Sequence, residues 1–229
     1  MPTTNARKSK PEKKTPVPVK EKPRSLWSLH GMEDVYFQRE SQINFWTVMG
    51  GLQAAALLTQ TALLWEQMQA GHWHLFLYLL DALLIITLMW ASTAWGSLVL
   101  KWTVNIPAIF TDFFGNFAMA IACLLIVNPA GWFLSVAIAA IGNWLHQFLF
   151  YRSGAWEHFS AETNKHLKAN LWIYGLWPLI CFAGALHLFL VPSVIAETIW
   201  GVIILIVLTD ALFRQHRGME RERKELGIP

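Results

Sequence analysis

Charged residues are scarce in this sequence and unevenly spread along it. Asp, Glu, Lys and Arg make up 14% of the 229 residues, against about 25% in a typical soluble domain. Long stretches carry no charge, while hydrophobic residues amount to 55% of the chain. This combination excludes an ordinary soluble globular domain. It is typical of a protein that crosses a membrane several times.

Cysteine is also rare, since the chain contains only Cys123 and Cys181. Both lie inside apolar runs, whereas a disulfide framework needs pairs exposed to an oxidising compartment. We therefore interpret both cysteines as small buried hydrophobic residues and expect no disulfide.

The motifs of common catalytic chemistries are missing as well. The sequence has no G-x-x-x-x-G-K-[ST] phosphate-binding loop, no G-x-S-x-G elbow and no clustered histidine boxes. His146 and His187 are expected at different membrane depths, which disfavours a haem held between two histidines of the bundle. We expect no cofactor and no metal, and the sequence favours a non-enzymatic protein without excluding an enzyme.

Six apolar runs are present, and each is long enough to cross a hydrocarbon core of about 30 Å at 1.5 Å per helical residue. They cover residues 43–65, 75–100, 106–127, 132–151, 171–191 and 193–213. The predicted fold is therefore an all-α integral membrane protein. Its transmembrane domain, residues 42–213, is a six-transmembrane-helix bundle built as three helical hairpins.

The basic residues predict the orientation of these helices. If the N-terminus is cytoplasmic, all 18 Lys and Arg residues fall on the cytoplasmic side, and the outer loops near 66–74, 128–131 and 192 hold none. The positive-inside rule thus predicts a multi-pass plasma-membrane protein with both termini in the cytoplasm. Tryptophans near the predicted span ends fit an interfacial belt. They are Trp46, Trp65, Trp73, Trp102, Trp132 and Trp172.

The segments outside the bundle are polar. Residues 1–24 are rich in Lys and Pro, which predicts a disordered basic cytoplasmic tail that is attracted to anionic lipid head groups. Residues 25–41 have apolar positions at helical spacing, which indicates an interfacial amphipathic helix. Residues 214–229 form a charged cytoplasmic C-terminal tail. No basic surface interleaved with aromatics accompanies the N-terminal tail, so nucleic acid is not an expected partner.

Small residues mark where helices can approach each other. Gly115 with nearby alanines on the third run, and Gly142 with nearby alanines on the fourth, permit close helix packing. Such surfaces serve packing within the chain, or contact with a second copy or another membrane protein.

Ionisable and amide side chains inside the apolar runs are the candidate functional residues, because a charge at the bilayer centre costs about 2.5–3.5 kcal/mol on insertion scales. Counting outward from the 128–131 turn places Asn116 opposite Asn143, and Asp112 opposite His146 or Gln147. Asp210 falls at a similar depth on the sixth run. The predicted pathway-lining residues on the cytoplasmic side are Asp112, Asn116, Asn143, His146, Gln147 and Asp210.

A second set of polar residues lies toward the outer side. His187 and Glu197 flank the Pro192-Ser193 turn, and Asp81 and Gln60 are expected near the same level. The two sets predict one polar vestibule toward each face of the membrane. The alternative interpretation is that these side chains only hold helices together.

Two functions fit the sequence. The first is a small channel or transporter for a proton, an ion or a small polar solute, with the inner polar residues on its pathway. The second is a non-catalytic membrane scaffold or assembly factor that acts through its basic cytoplasmic tails.

Overall fold

The computed structural model describes residues 35–95, 106–152 and 159–227, and within them all regular structure is helical. The six α-helices are α1 (Val35–Gln69), α2 (Phe76–Ala94), α3 (Ile106–Leu124), α4 (Pro129–Arg152), α5 (Ala161–Leu190) and α6 (Val194–Glu225). A 3₁₀ turn, Trp73–Leu75, joins α1 to α2. The predicted tail 1–24 and the first part of the predicted interfacial helix lie outside the described residues.

Five of these helices, α1, α2, α4, α5 and α6, are long and apolar enough to cross a membrane. The third predicted run forms α3, whose apolar part, Ile109–Leu124, is shorter. The all-α fold is therefore confirmed, with five helices that are long and apolar enough to span a membrane. The sixth span and the arrangement as three hairpins stay predictions.

Local side-chain chemistry explains where the later helices begin. Ser160 accepts a hydrogen bond from the Thr163 amide at the start of α5, and Ser193 accepts one from the Ala196 amide at the start of α6. Pro129 occupies the first position of α4, where a missing N–H costs little. The helix therefore begins three residues before the predicted fourth run, and the connection from α3 is short.

Three helices extend beyond the predicted spans. Residues 35–41 continue into α1 without a break, α5 includes residues 161–170, and α6 continues to Glu225 through most of the predicted C-terminal tail. These extensions are polar and follow apolar helical segments, so they lengthen existing helices at low cost instead of nucleating new ones.

One end of the bundle collects the basic residues, and we call it the basic end. Every Lys and Arg whose side chain the structure describes lies there, on Arg152, Lys165, Lys168, Arg214, Arg217, Arg221, Arg223 and Lys224. Here Glu225 accepts hydrogen bonds from the Ser160 amide (2.9 Å), the Ser160 hydroxyl (2.6 Å) and the Thr163 hydroxyl (2.5 Å). These bonds hold the end of α6 against the start of α5.

The other end, called here the opposite end, is held by different contacts. His74 Nε2 lies 2.7 Å from Glu197 Oε2, and the Tyr78 hydroxyl donates to the Glu197 carbonyl at 2.9 Å. The start of α2 and the start of α6 therefore meet at this end. The side of the membrane that each end faces stays a prediction.

α4 forms the centre of the bundle, packed most extensively against α3 and α5. Trp132 and Phe133 at its start are fully buried against Tyr78 of α2, with Tyr78–Trp132 ring centroids 4.9 Å apart. Trp132 is thus a core residue, and its assignment to the interfacial belt was wrong because α4 begins inside the bundle at this point. Trp65, Trp73 and Trp172 are 63%, 64% and 69% exposed, as an interfacial position requires.

Candidate functional site

α3 and α4 touch through glycine, as the small residues in their sequences predict. A β-carbon added to Gly142 would lie 2.9 Å from the backbone nitrogen and Cα of Gly115, and 2.9 Å from the carbonyl oxygen of Thr111. Distances under 3.0 Å are essentially unknown for real β-carbons. Only glycine therefore fits at position 142, and the two helix backbones lie in direct contact there.

This contact brings Asp112 and His146 together. Asp112 follows Thr111 on α3, and His146 lies one helical turn after Gly142 on α4. His146 Nδ1 is 2.8 Å from Asp112 Oδ1, and the two side chains are only 5% and 10% exposed. Counting from the turn predicted His146 or Gln147 as the neighbour of Asp112, and the structure brings His146 to it as a buried carboxyl–imidazole pair.

A hydrogen-bonded chain of amides continues from this pair. Asn116 donates to the Asp112 carbonyl at 2.7 Å and accepts from the Gln53 side chain of α1. Gln53, which is 2% exposed, accepts in turn from the indole of Trp90 on α2. The chain thus joins α1 and α2 to α3, and it ends at the backbone carbonyl of Asp112, next to the Asp112–His146 pair. Buried polar groups linked in this way are held in one arrangement.

A polar cavity of about 70 Å³ lies next to His146 at the basic end. It is lined by residues of α2, α4, α5 and α6, and its polar lining comprises Ser92, His146, Gln147, Tyr151, Asn170, Tyr174, Gln215 and Glu222. Glu222 is 4% exposed and accepts from the Trp95 indole at 2.5 Å. Since one water needs about 10–15 Å³ of such volume, the cavity has room for several.

A second cavity, of about 30 Å³, lies deeper in the bundle and is mostly apolar. Asn143 and Cys181 are in its wall together with Trp177. Tyr174 lines the first cavity and Trp177 lines the second, and their rings are 5.0 Å apart. This aromatic pair separates the two cavities.

The six predicted inner residues are thus distributed unequally. Asp112, Asn116 and His146 belong to one network, Gln147 lines the first cavity, and Asn143 lines the second. Asp210 is not brought to the network. Its side chain is 56% exposed, and Arg214 donates to it at 2.5 Å one turn further along α6. Whether these residues line a pathway stays a prediction.

The predicted outer residues divide into two groups. Gln60 and Asp81 are fully buried, and Gln60 donates to the Tyr78 carbonyl at 3.3 Å. Glu197 pairs with His74, whereas His187 is exposed and accepts from the Trp200 indole at 2.8 Å. His187 and Glu197 therefore face different partners, although they flank the same turn.

Comparison with known proteins adds no assignment. No family model, curated protein or solved structure matches this chain.

Several residues of the site were not assigned to it from sequence, and Gln53 and Glu222 are the most deeply buried charged or amide side chains among them. Gln53 was visible as an amide in the first apolar run, but no turn fixes its depth relative to α3. Glu222 lies in a charged segment, where solvent exposure is the ordinary expectation. Its burial depends on α6 continuing as a helix and packing against Trp95. No local pattern reveals that contact.

Proposed function

We propose that this chain is a six-span membrane protein that moves protons across the bilayer. The observation that carries the proposal is the buried polar network, which begins at Gln53, includes the Asp112–His146 pair and opens into a cavity large enough for water. In apolar helices such groups usually face protein or water that serves a pathway.

The size of the cavities favours protons over larger solutes. Volumes of about 70 and 30 Å³ hold water molecules but no organic solute, since small-molecule sites are typically about 300–1,000 Å³. Protons can pass along water and side chains that both donate and accept. The imidazole of His146 beside Asp112 is such a group, because one ring nitrogen can donate a hydrogen bond while the other accepts one.

Adhesion between helices explains the polar contacts of this site but not its cavity. Polar pairs between spans commonly act as adhesive contacts, and Gln53 with Asn116 fits that role. A cavity lined by eight polar side chains weakens packing instead of strengthening it. It is expected where water must enter.

Filling the cavity tests the proposal. Gly218 lines the cavity, and a β-carbon there would meet nothing within 4 Å. Gly218→Leu is therefore expected to fold normally and to place its side chain in the water-filled space. In proteoliposomes with an imposed pH gradient, we expect proton flux to fall about tenfold or more, as for loss of a positioned proton-transfer group.

Gly51→Leu is the matched control. A β-carbon at Gly51 also meets nothing within 4 Å, but this residue is exposed on α1, away from the cavity. Its flux should equal that of the wild type. Equal flux from wild-type, Gly218→Leu and protein-free liposomes would reject proton transport and favour a scaffold that acts through its basic tails.

The proposal includes a location and an orientation. We propose that the basic end faces the cytoplasm in the plasma membrane, with both termini on that side. The tail 1–24, with Lys8, Lys10, Lys13, Lys14, Lys20 and Lys22 among its basic residues, would then lie near anionic lipid head groups.

Thiol labelling tests this orientation. Cys123 and Cys181 are buried, so they give little background. Val191→Cys at the opposite end and Arg221→Cys at the basic end introduce exposed thiols. In intact cells, a membrane-impermeant maleimide should label residue 191 and should label residue 221 only after permeabilisation. The reverse pattern would show that the orientation is inverted.

A further inference from the structure

Asp81 is a buried carboxyl without a partner in the opposite half of the bundle. It is 0% exposed, and neither of its oxygens has a hydrogen-bond partner among the described residues. The Asp112 carboxyl, by contrast, is paired with an imidazole. Burying a carboxylate without a partner costs a large free energy. The ionisation state of Asp81 therefore has to differ from that of a paired or exposed carboxyl.

Two other buried atoms near Tyr78 also lack partners in the described part of the chain. Gln60 Oε1 is an acceptor without a donor, although the Gln60 amide nitrogen reaches the Tyr78 carbonyl at 3.3 Å. Trp132 Nε1 is a donor without an acceptor, and its ring lies against the Tyr78 ring. Asp81 follows Tyr78 by three residues and shares its face of α2. All three groups therefore lie near Tyr78: Gln60 at its backbone carbonyl, Trp132 at its ring, and Asp81 one helical turn further along α2.

The donor and acceptor inventory fits one form of Asp81. A carboxylate only accepts, so it could satisfy Trp132 Nε1 but would leave Gln60 Oε1 without a donor. A carboxylic acid has one O–H donor and one carbonyl acceptor. It therefore has the donor that Gln60 Oε1 lacks and the acceptor that Trp132 Nε1 lacks.

Among the described side chains, no Lys or Arg is available to hold a carboxylate here. The sequence has no Lys or Arg between Arg39 and Lys101, and every Lys or Arg with a described side chain lies at the basic end. The titratable groups that face Asp81 are Tyr78 on its own helix, Cys181 from α5 and Glu197 from α6. His74 is beside Glu197 and pairs with it. None of these groups is a counter-ion for Asp81.

We propose that Asp81 is a proton-binding site, occupied by a proton in this conformation and hydrogen-bonded with Gln60 and Trp132. This inference rests on the proposed function in one respect, since it makes Asp81 the proton carrier of the half of the bundle that the Asp112–His146 network does not reach. The second cavity lies between the two, with Cys181 near Asp81 and Asn143 near the network. The ligand is the proton alone.

A hydrophobic carbodiimide tests the state of Asp81 directly. Such a reagent adds to a carboxylic acid, with the acid proton passing to the reagent nitrogen, and the adduct rearranges to a stable N-acylurea without a leaving group. Mass spectrometry of wild-type protein in lipid vesicles should find the adduct at Asp81, with less adduct as pH rises. Asp210, exposed and paired with Arg214, is the internal control and should stay unmodified.

Infrared spectroscopy provides the second measurement, because access of the reagent to a buried site can limit labelling. The carbonyl stretch of a protonated carboxylic acid should be present in wild type and absent in Asp81→Asn, which is similar in size and uncharged. A spectrum in which Asp81→Asn retains the full wild-type band overturns the proposal. Protection of Asp81 from the carbodiimide by sodium ions also overturns it, since the site would then hold a metal cation.

Neither carbodiimide labelling nor infrared spectroscopy depends on proton flux. The proposal that Asp81 is protonated and the proposal that the protein transports protons can therefore fail separately. A protonated Asp81 in a protein that conducts no protons would retain this inference and remove the transport function. Proton flux that Asp81→Asn leaves unchanged, together with an unaltered infrared band, would retain transport through the network and remove Asp81 from it.

Discussion

Asp112→Asn is expected to lower proton flux through reconstituted protein about 100-fold, the lower end of the effect of removing a positioned proton-transfer group. Asparagine has nearly the shape of aspartate and can still hydrogen-bond to His146 Nδ1, which lies 2.8 Å from the carboxyl oxygen. The fold should therefore persist. What is lost is a side chain that can accept a proton from the imidazole and return it, which an amide cannot do. Proteoliposomes under an imposed pH gradient measure the effect.

Asp210→Asn is the matched control for this substitution. Asp210 has the same side chain on a neighbouring helix, but it is 56% exposed and paired only with Arg214. Its loss should leave flux within about twofold of wild type, because exposed ion pairs contribute little. Asp112→Glu, which keeps the carboxyl, should recover part of the flux. Equal flux from wild type and a folded Asp112→Asn would exclude the pair from the pathway.

Gly142→Ala is expected to destabilise the bundle by about 1–3 kcal/mol, the usual cost of forcing an extra methyl into a packed interior. The added carbon would lie 2.9 Å from three backbone atoms of α3, at Gly115 and Thr111, and backbone cannot rotate away. α3 must shift from α4, and the shift would also separate Asp112 from His146. Thermal unfolding in detergent micelles measures the stability. The separation of Asp112 from His146 should also lower proton flux in the proteoliposome assay.

Gly51→Ala separates this effect from the general consequence of replacing glycine in a helix. Position 51 has nothing within 4 Å of an added β-carbon. Alanine favours helix over glycine by about 0.5–1 kcal/mol, so this variant should unfold at the wild-type temperature or above it. A Gly142→Ala protein as stable as Gly51→Ala would mean that α3 and α4 are not in backbone contact.

The sequence predicted the helices and one important contact for a clear physical reason. Apolar runs bounded by polar segments report helix length directly. α3 and α4 are joined by a short turn, so counting from it fixes the depth of every residue on both helices. Asp112 and His146 were matched in this way, and the structure places them 2.8 Å apart. Gly142 and Gly115, read as small residues that permit close approach, are the contact itself.

The remaining features of the site depend on how each helix is rotated about its axis and on packing between distant segments. The spacing of residues along the chain does not determine either. Asp210 has the depth expected for the network, but α6 is turned so that this residue faces outward. Its partner Arg214, four residues later, was the available local signal. Glu222 is buried because the polar end of α6 continues as a helix and reaches Trp95. Gln53 joins the network only because α1 packs against α3.

The contact at Gly142 also predicts how this sequence can diverge. An added carbon at position 142 would meet three backbone atoms of α3. Glycine is therefore the only residue type that this position accepts. Position 115 is less restricted, since its added carbon would lie 3.4 Å from the Ala139 carbonyl oxygen and from a flexible methionine side chain. Natural variants of the fold should therefore keep glycine at 142 while alanine appears at 115, and position 51 should vary freely.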